Sequence, residues 1–130
     1  MAALKFFWPG GGPTRMRGNA AEDAALAHLL TQGLRLVERN YRTPGRGGGE
    51  IDLILREPDG TLVFVEVRAR MDASHGGAAA SVGALKRRRI VLAARHYLMR
   101  RHASPPRCRF DVVAIDGSQI GWIKGAFDAA

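Results

Sequence analysis

Two short apolar stretches each place a carboxylate where a β-strand would bury it. Asp52 lies within Gly49-Glu50-Ile51-Asp52-Leu53-Ile54, and Glu66 within Phe64-Val65-Glu66-Val67-Arg68. An ionised carboxylate is costly to bury unless a partner replaces its lost hydration. Strand side chains alternate, so Asp52 shares a face with Glu50 and Ile54, while Ile51, Leu53 and Leu55 take the other. By the same rule Glu66 shares a face with Phe64 and Arg68. If the two strands are hairpin neighbours, Asp52 and Glu66 stand side by side and repel unless a cation or a proton separates them. A divalent cation fits, because hard ions such as Mg²⁺ are held by a few carboxylates plus waters. An arginine network fits as well, pairing Glu66 with Arg68 or Asp52 with Arg70. The strands alone leave both readings open.

Two charged helix positions bear on the same region. Glu22 precedes Ala25, Leu26 and Leu29 at helical spacing, which puts it on an inward stripe. Asn19-x-x-Glu22 also has the form of a capping box, with Glu22 reaching back to the Asn19 amide. Lys86 falls on one stripe with Val82, Ile90, Ala93 and Tyr97. A lysine there either extends to the rim or meets an anion on the sheet.

A third ingredient is basic. From Ala73 to Phe110 there is no Asp or Glu, against nine Lys or Arg residues. Such a run is either a solvated helix face or a patch that binds phosphates. Arg87, Arg88, Arg95, Arg100 and Arg101 are the candidates for nucleic-acid contact.

The elements that must carry these residues follow from periodicity and punctuation. Residues 1 to 17 hold Pro9-Gly10-Gly11-Gly12-Pro13 and three basic side chains, the composition of a mobile basic tail. A helix is expected from Asn19 to about Gln32, with Gly33 as its stop. Strands are expected over Leu34–Arg42, Glu50–Arg56 and Thr61–Arg70, the last two forming a hairpin across Pro58-Asp59-Gly60. A flexible glycine-rich stretch, Met71–Ala80, leads to a second helix over Ser81–Arg101, ended by Pro105-Pro106. Arg109–Asp116 and Gln119–Lys124 complete the chain as strands paired across Gly117-Ser118. The order α-β-β-β-α-β-β describes an α/β domain, a mixed sheet with helices packed on it, spanning residues 18–130.

Bulk properties narrow the class. With 130 residues and 46% hydrophobic content, the chain supports one domain with a real core. A net charge of +8 favours a polyanionic partner, nucleic acid before an anionic membrane surface. Cys108, the only cysteine, rules out an internal disulfide and fits a reducing cytoplasm. Leu4-Lys5-Phe6-Phe7-Trp8 is too short to span a bilayer and lacks the core of a signal peptide. His28, His75, His96 and His102 lack zinc-ligand spacing, and no nucleophile segment of Ser-His-Asp type is present. The glycine-rich loop Thr43–Gly49 lacks the Lys-Ser/Thr of a phosphate-binding loop.

Taken together, Gly18-x-x-x-Glu22, Arg39-Asn40-Tyr41-Arg42, the Asp52 and Glu66 segments, Phe110-Asp111-Val112-Val113 and Trp122-Ile123-Lys124-Gly125-Ala126-Phe127 resemble the YraN family of small bacterial proteins. The resemblance covers about residues 17 to 128. That family is similar to archaeal Holliday-junction resolvases and to nucleases of the restriction-endonuclease-like fold. The resemblance implies an endonuclease using Mg²⁺ or Mn²⁺ on structured DNA. Glu22 then matches the helix acid, while Asp52 and Glu66 match the metal-binding acids and the Val67 carbonyl completes the metal shell. The nuclease pattern has lysine where Arg68 stands; arginine stays charged, whereas lysine can lose or donate a proton. Lys86 is the candidate to supply that ammonium from the helix, with Arg68 stabilising charge on the phosphate. The departure at position 68 keeps a second reading open, a nucleic-acid-binding protein that does not cleave. A resolvase of two-fold symmetric junctions is expected to act as a homodimer, although no dimer patch is legible in the sequence.

Overall fold

The computed structural model describes residues 13–69 and 82–129, with side chains from residue 20 onward. The tail ahead of residue 13, the glycine-rich stretch Met71–Ala80 and the pairing of Asp52 with Arg70 lie outside the described residues.

Helix α1 spans Pro13–Thr31. It starts six residues before the expected Asn19, so residues 13–17 of the predicted tail are helical and Asn19 lies inside the helix, not at its cap. Proline is favoured in a first turn because its ring fixes a helical φ and its missing N–H has no partner to lose there. The alanine-rich sequence that follows carries the helix onward. It ends where Gly33 adopts φ 97°, with Gly33 N–H donating to the Leu30 carbonyl and Leu34 N–H to that of Leu29. That pair of bonds is a Schellman stop, which requires a left-handed residue at this position.

Five strands follow: β1 (Arg35–Arg42), β2 (Glu50–Arg56), β3 (Leu62–Arg68), β4 (Cys108–Asp116) and β5 (Gln119–Phe127), with helix α2 (Ala84–Arg101) between β3 and β4. They form one sheet in the order β1-β2-β3-β4-β5. All neighbours are antiparallel except β3 and β4. A parallel pair needs a long crossover, and α2 supplies it. The predicted order α-β-β-β-α-β-β is the observed one.

The helices cover opposite faces. Ala21, Ala25 and Leu29 of α1 pack on Leu53, Leu55, Val63 and Val65. Ile90, Ala93 and Tyr97 of α2 pack on Ile54, Phe64, Phe110 and Val112. Gly49 lets α2 come this close, since a Cβ there would overlap the Arg89 carbonyl oxygen.

Strict alternation fails in β2. Ile51 does not join Leu53 and Leu55 but packs with Tyr41 on the α2 face. The cross-strand pair Arg39↔Leu53 and the pair Tyr41↔Ile51 flank Asn40, which has φ 52°. A left-handed residue kinks β1 between the two pairs and turns the second one over. Asparagine tolerates that conformation better than most residues. Asp52 sits in β2 beside this kink.

Candidate functional site

Pairing between β2 and β3 runs from Arg56↔Leu62 to Leu53↔Val65. Asp52 and Glu66 are the next residue on each strand, just past the last pair. There a side chain takes over from the ladder: the Val67 N–H donates to Asp52 Oδ2 at 2.8 Å. Asp52 and Glu66 are both buried, Glu66 to 3% exposure.

Glu66 faces two cations through one oxygen. Arg68 Nη1 lies 3.5 Å and Lys86 Nζ 3.6 Å from Glu66 Oε2. Lys86 therefore meets an anion at the sheet, and the rest of its stripe (Val82, Ile90, Ala93 and Tyr97) is buried beneath α2. Glu66 Oε1 is buried and, among the described residues, has no hydrogen-bond donor.

The electrostatics follow from this geometry. Burial first, and then the Asp52 charge, push Glu66 up from 4.5 to about 8, against the pull of Lys86 and Arg68. Burial also raises Asp52, opposed chiefly by the Val67 N–H bond. Burial and mutual repulsion thus favour a proton on Glu66, through which the two carboxyls can hydrogen bond to each other. Two hard carboxylates in contact, one with an oxygen lacking a donor, form a set that suits a divalent cation.

Glu22 approaches from α1, half-buried rather than on the inward stripe of Ala21, Ala25 and Leu29. Its Oε1 stands 3.5 Å from Arg39 Nη2 without hydrogen-bond geometry, while Arg39 also reaches Asp23 at 2.9 Å. Burial and then the Asp52 charge raise the Glu22 carboxyl, so it senses the pair. It does not join it: among the described residues no three His, Cys, Asp or Glu side chains gather as a metal-binding group.

The five arginines expected to bind nucleic acid separate into two places. Arg87, Arg88 and Arg95 line a groove of about 850 Å³ between α2 and the end of β5. Arg101 pairs with Glu38 at 3.4 Å and lies over the Tyr97 ring, with exposed Arg100 beside it. The groove does not surround the acids. At 3.6 residues per turn, Arg88 and Arg95 project roughly half a turn around α2 from Lys86.

Sequence reasoning missed the role of Asp111. It is fully buried, and its carboxylate accepts from Arg109 Nε and Nη2, from Trp122 Nε1 and from the Gly125 N–H, all between 2.9 and 3.0 Å. Arg109 continues to Glu57 at 2.7 Å. The signal was available, since Asp111 is also a carboxylate inside an apolar β run. The Tyr41 hydroxyl, 2.6 Å from His96 Nδ1, was not foreseen either.

A small α/β protein with two adjacent buried carboxylates at the diverging end of a hairpin, and a lysine and an arginine upon them, is the class that fold and site define. The family model described as Uncharacterised protein family UPF0102 matches residues 21–115, and the chain belongs to that family, the YraN family of the sequence resemblance. It is 68% identical over 117 residues to the UPF0102 protein of Acidovorax sp. (strain JS42), covering 90% of this chain and 88% of the relative. It is 66% identical over 125 residues to the UPF0102 protein of Paracidovorax citrulli (strain AAC00-1), covering 93% and 92%.

Proposed function

We propose that this protein is a divalent-metal-dependent endonuclease that hydrolyses phosphodiester bonds in structured or branched DNA. The observation that carries the reading is the Asp52–Glu66 pair, two buried carboxyls on neighbouring strands beside the Lys86 ammonium. Asp52 and Glu66, with the Val67 carbonyl, would hold Mg²⁺ or Mn²⁺. Such an ion supplies Lewis acidity at a phosphoryl oxygen and lowers the pKa of bound water.

The chain's own groups do the rest. The Val67 N–H fixes the Asp52 carboxylate. Glu66 releases its proton on loading, since ligating carboxyls must be ionised. Lys86 and Arg68, both at Glu66 Oε2, stabilise negative charge developing on the phosphate. Lys86 can exchange a proton where Arg68 cannot. Glu22, held by Arg39 and raised by Asp52, is placed to act through water. No described helix is long and apolar enough to cross a membrane, and a cytoplasmic homodimer acting on two-fold symmetric junctions fits the reading.

A second reading, nucleic-acid binding without cleavage, draws on Arg68 in the lysine position and on Glu22 standing apart from the pair. Initial rates on branched and nicked DNA with Mn²⁺ separate the two. Wild type cleaves slowly, and Arg68→Lys is faster. Lys86→Met lowers the wild-type rate about 100-fold, the effect of removing one transition-state donor. The same change does less in the Arg68→Lys background. If all of these match Asp52→Ala, the binding-only reading stands.

A further inference from the structure

We propose that the groove between α2 and the end of β5 seats a single-stranded segment of nucleic acid, with bases on its apolar floor and phosphates at its arginine rim. The inference rests on the proposed function only in assigning this segment to the unpaired arm of a branched substrate.

The groove has two chemistries. Arg87, Arg88 and Arg95 edge it, against a single carboxylate, Asp128. Leu92, 47% exposed on α2, supplies most of the apolar surface, over the nearly buried Val91 and Phe127. Arg87 is anchored by its Nε to the Val82 carbonyl at 2.8 Å, which fixes its guanidinium at the rim. Charge complementarity calls for an anion, and the floor calls for an anion that also presents apolar faces. A free phosphate would use the rim alone. A duplex, its bases stacked inside, would do the same. A single strand offers both, and cationic grooves with apolar or aromatic seats are how unpaired strands are held. Guanidinium groups add to this because they stack on bases as well as pairing with phosphates.

Arg88 and Arg95 are seven residues apart on α2, about 10 Å along its axis, so the rim meets more than one phosphate of a strand lying along the helix. The acid pair sits around the same helix from the groove, under Lys86. One phosphate cannot reach both. A branch point at the start of α2 sends one strand to each side.

Anisotropy titrations of the full chain with a short oligothymidylate, a duplex of equal length, inorganic polyphosphate and anionic phospholipid vesicles test this. The expected result is preference for oligothymidylate over duplex. Leu92→Ser, at an exposed position, weakens oligothymidylate binding about ten-fold, as expected for removing the seat of one base, and leaves polyphosphate binding unchanged. Arg95→Gln lowers the salt dependence of oligothymidylate binding by about 0.7 in the log–log slope, one phosphate contact on a single strand. Equal losses for every polyanion would reduce the groove to a cationic surface and overturn the inference. Vesicle binding that exceeds oligothymidylate binding and falls with Leu92→Ser would overturn it in favour of a membrane surface. Branched-DNA cleavage together with oligothymidylate binding unchanged in Leu92→Ser overturns the groove and spares the proposed activity. Oligothymidylate binding that falls in Leu92→Ser, in a protein that cleaves nothing, supports the groove and removes that activity.

Discussion

Asp111 and the Asp52–Glu66 pair are both carboxylates buried in central strands, yet they are finished to different degrees. Asp111 receives four hydrogen bonds, two of them from Arg109. Its network also accepts from an indole N–H and a backbone N–H of β5. Among the described residues, the Asp52–Glu66 pair has one backbone donor on Asp52, two cations at 3.5–3.6 Å on a single Glu66 oxygen, and no donor on the other. A satisfied buried acid serves the fold. An under-satisfied pair whose charges repel is poised for a partner such as a cation.

The widest separation between the two is expected from truncation. Asp111→Ala leaves Arg109 paired with Glu57 but deprives Trp122 Nε1 and the Gly125 N–H of their acceptor, and should destabilise by about 3–5 kcal/mol in urea titration, as breaking a buried ion pair does. Asp52→Ala should lose far less, because it relieves repulsion at Glu66. Equal losses at both sites would erase the distinction.

Divalent cations provide the next test. Mg²⁺ or Mn²⁺ at about a hundred times its dissociation constant should add about 2.7 kcal/mol of stability, read as a rise in Tm. The rise should vanish in Asp52→Asn. A cation-insensitive wild type would make the pair a structural feature like Asp111.

The smallest effect is a pH dependence. Glu66 titrates at its ordinary 4.5 in the unfolded chain and at about 8 in the folded protein. Between those values the folded state holds the extra proton, so cation-free stability falls as pH rises across that window. The raised carboxyls of Asp52 and Glu22 act in the same direction. Glu66→Gln should flatten much of the profile and exceed wild type at pH 8 by about 1–3 kcal/mol, the range for a poorly satisfied buried polar group. Unfolding midpoints across the pH range would check this, and a variant less stable than wild type at pH 8 would show that Glu66 is well paired.

Much of the site was legible because strand and helix periods are local. The runs around Asp52 and Glu66 marked their strands, the hairpin turn made them neighbours, and the 3.6-residue period put Lys86 on the buried stripe with Ile90 and Tyr97. Local signals misled where a stronger local one, or a neighbouring strand, outweighed them. Asn19 looked like a cap, but the helix continues through it back to Pro13. Ile51 followed strict alternation on paper, but the left-handed Asn40 in the neighbouring strand turns it to the other face.

By itself, then, the sequence determined which residues bear charge, which faces are apolar and the order of the elements, since those depend on composition and on the fixed geometry of backbone and chirality. Only the tertiary structure decided which acid is satisfied and which is not. Asp52, Glu66 and Asp111 carry the same local signature, and the difference lies in donors brought from elsewhere: Trp122 and Gly125 from β5 to Asp111, and, among the described residues, the cations of Lys86 and Arg68 to Glu66. The helical period already separates Arg88 and Arg95 from Lys86, and packing against the sheet decides that Lys86 meets Glu66 while those arginines meet the end of β5.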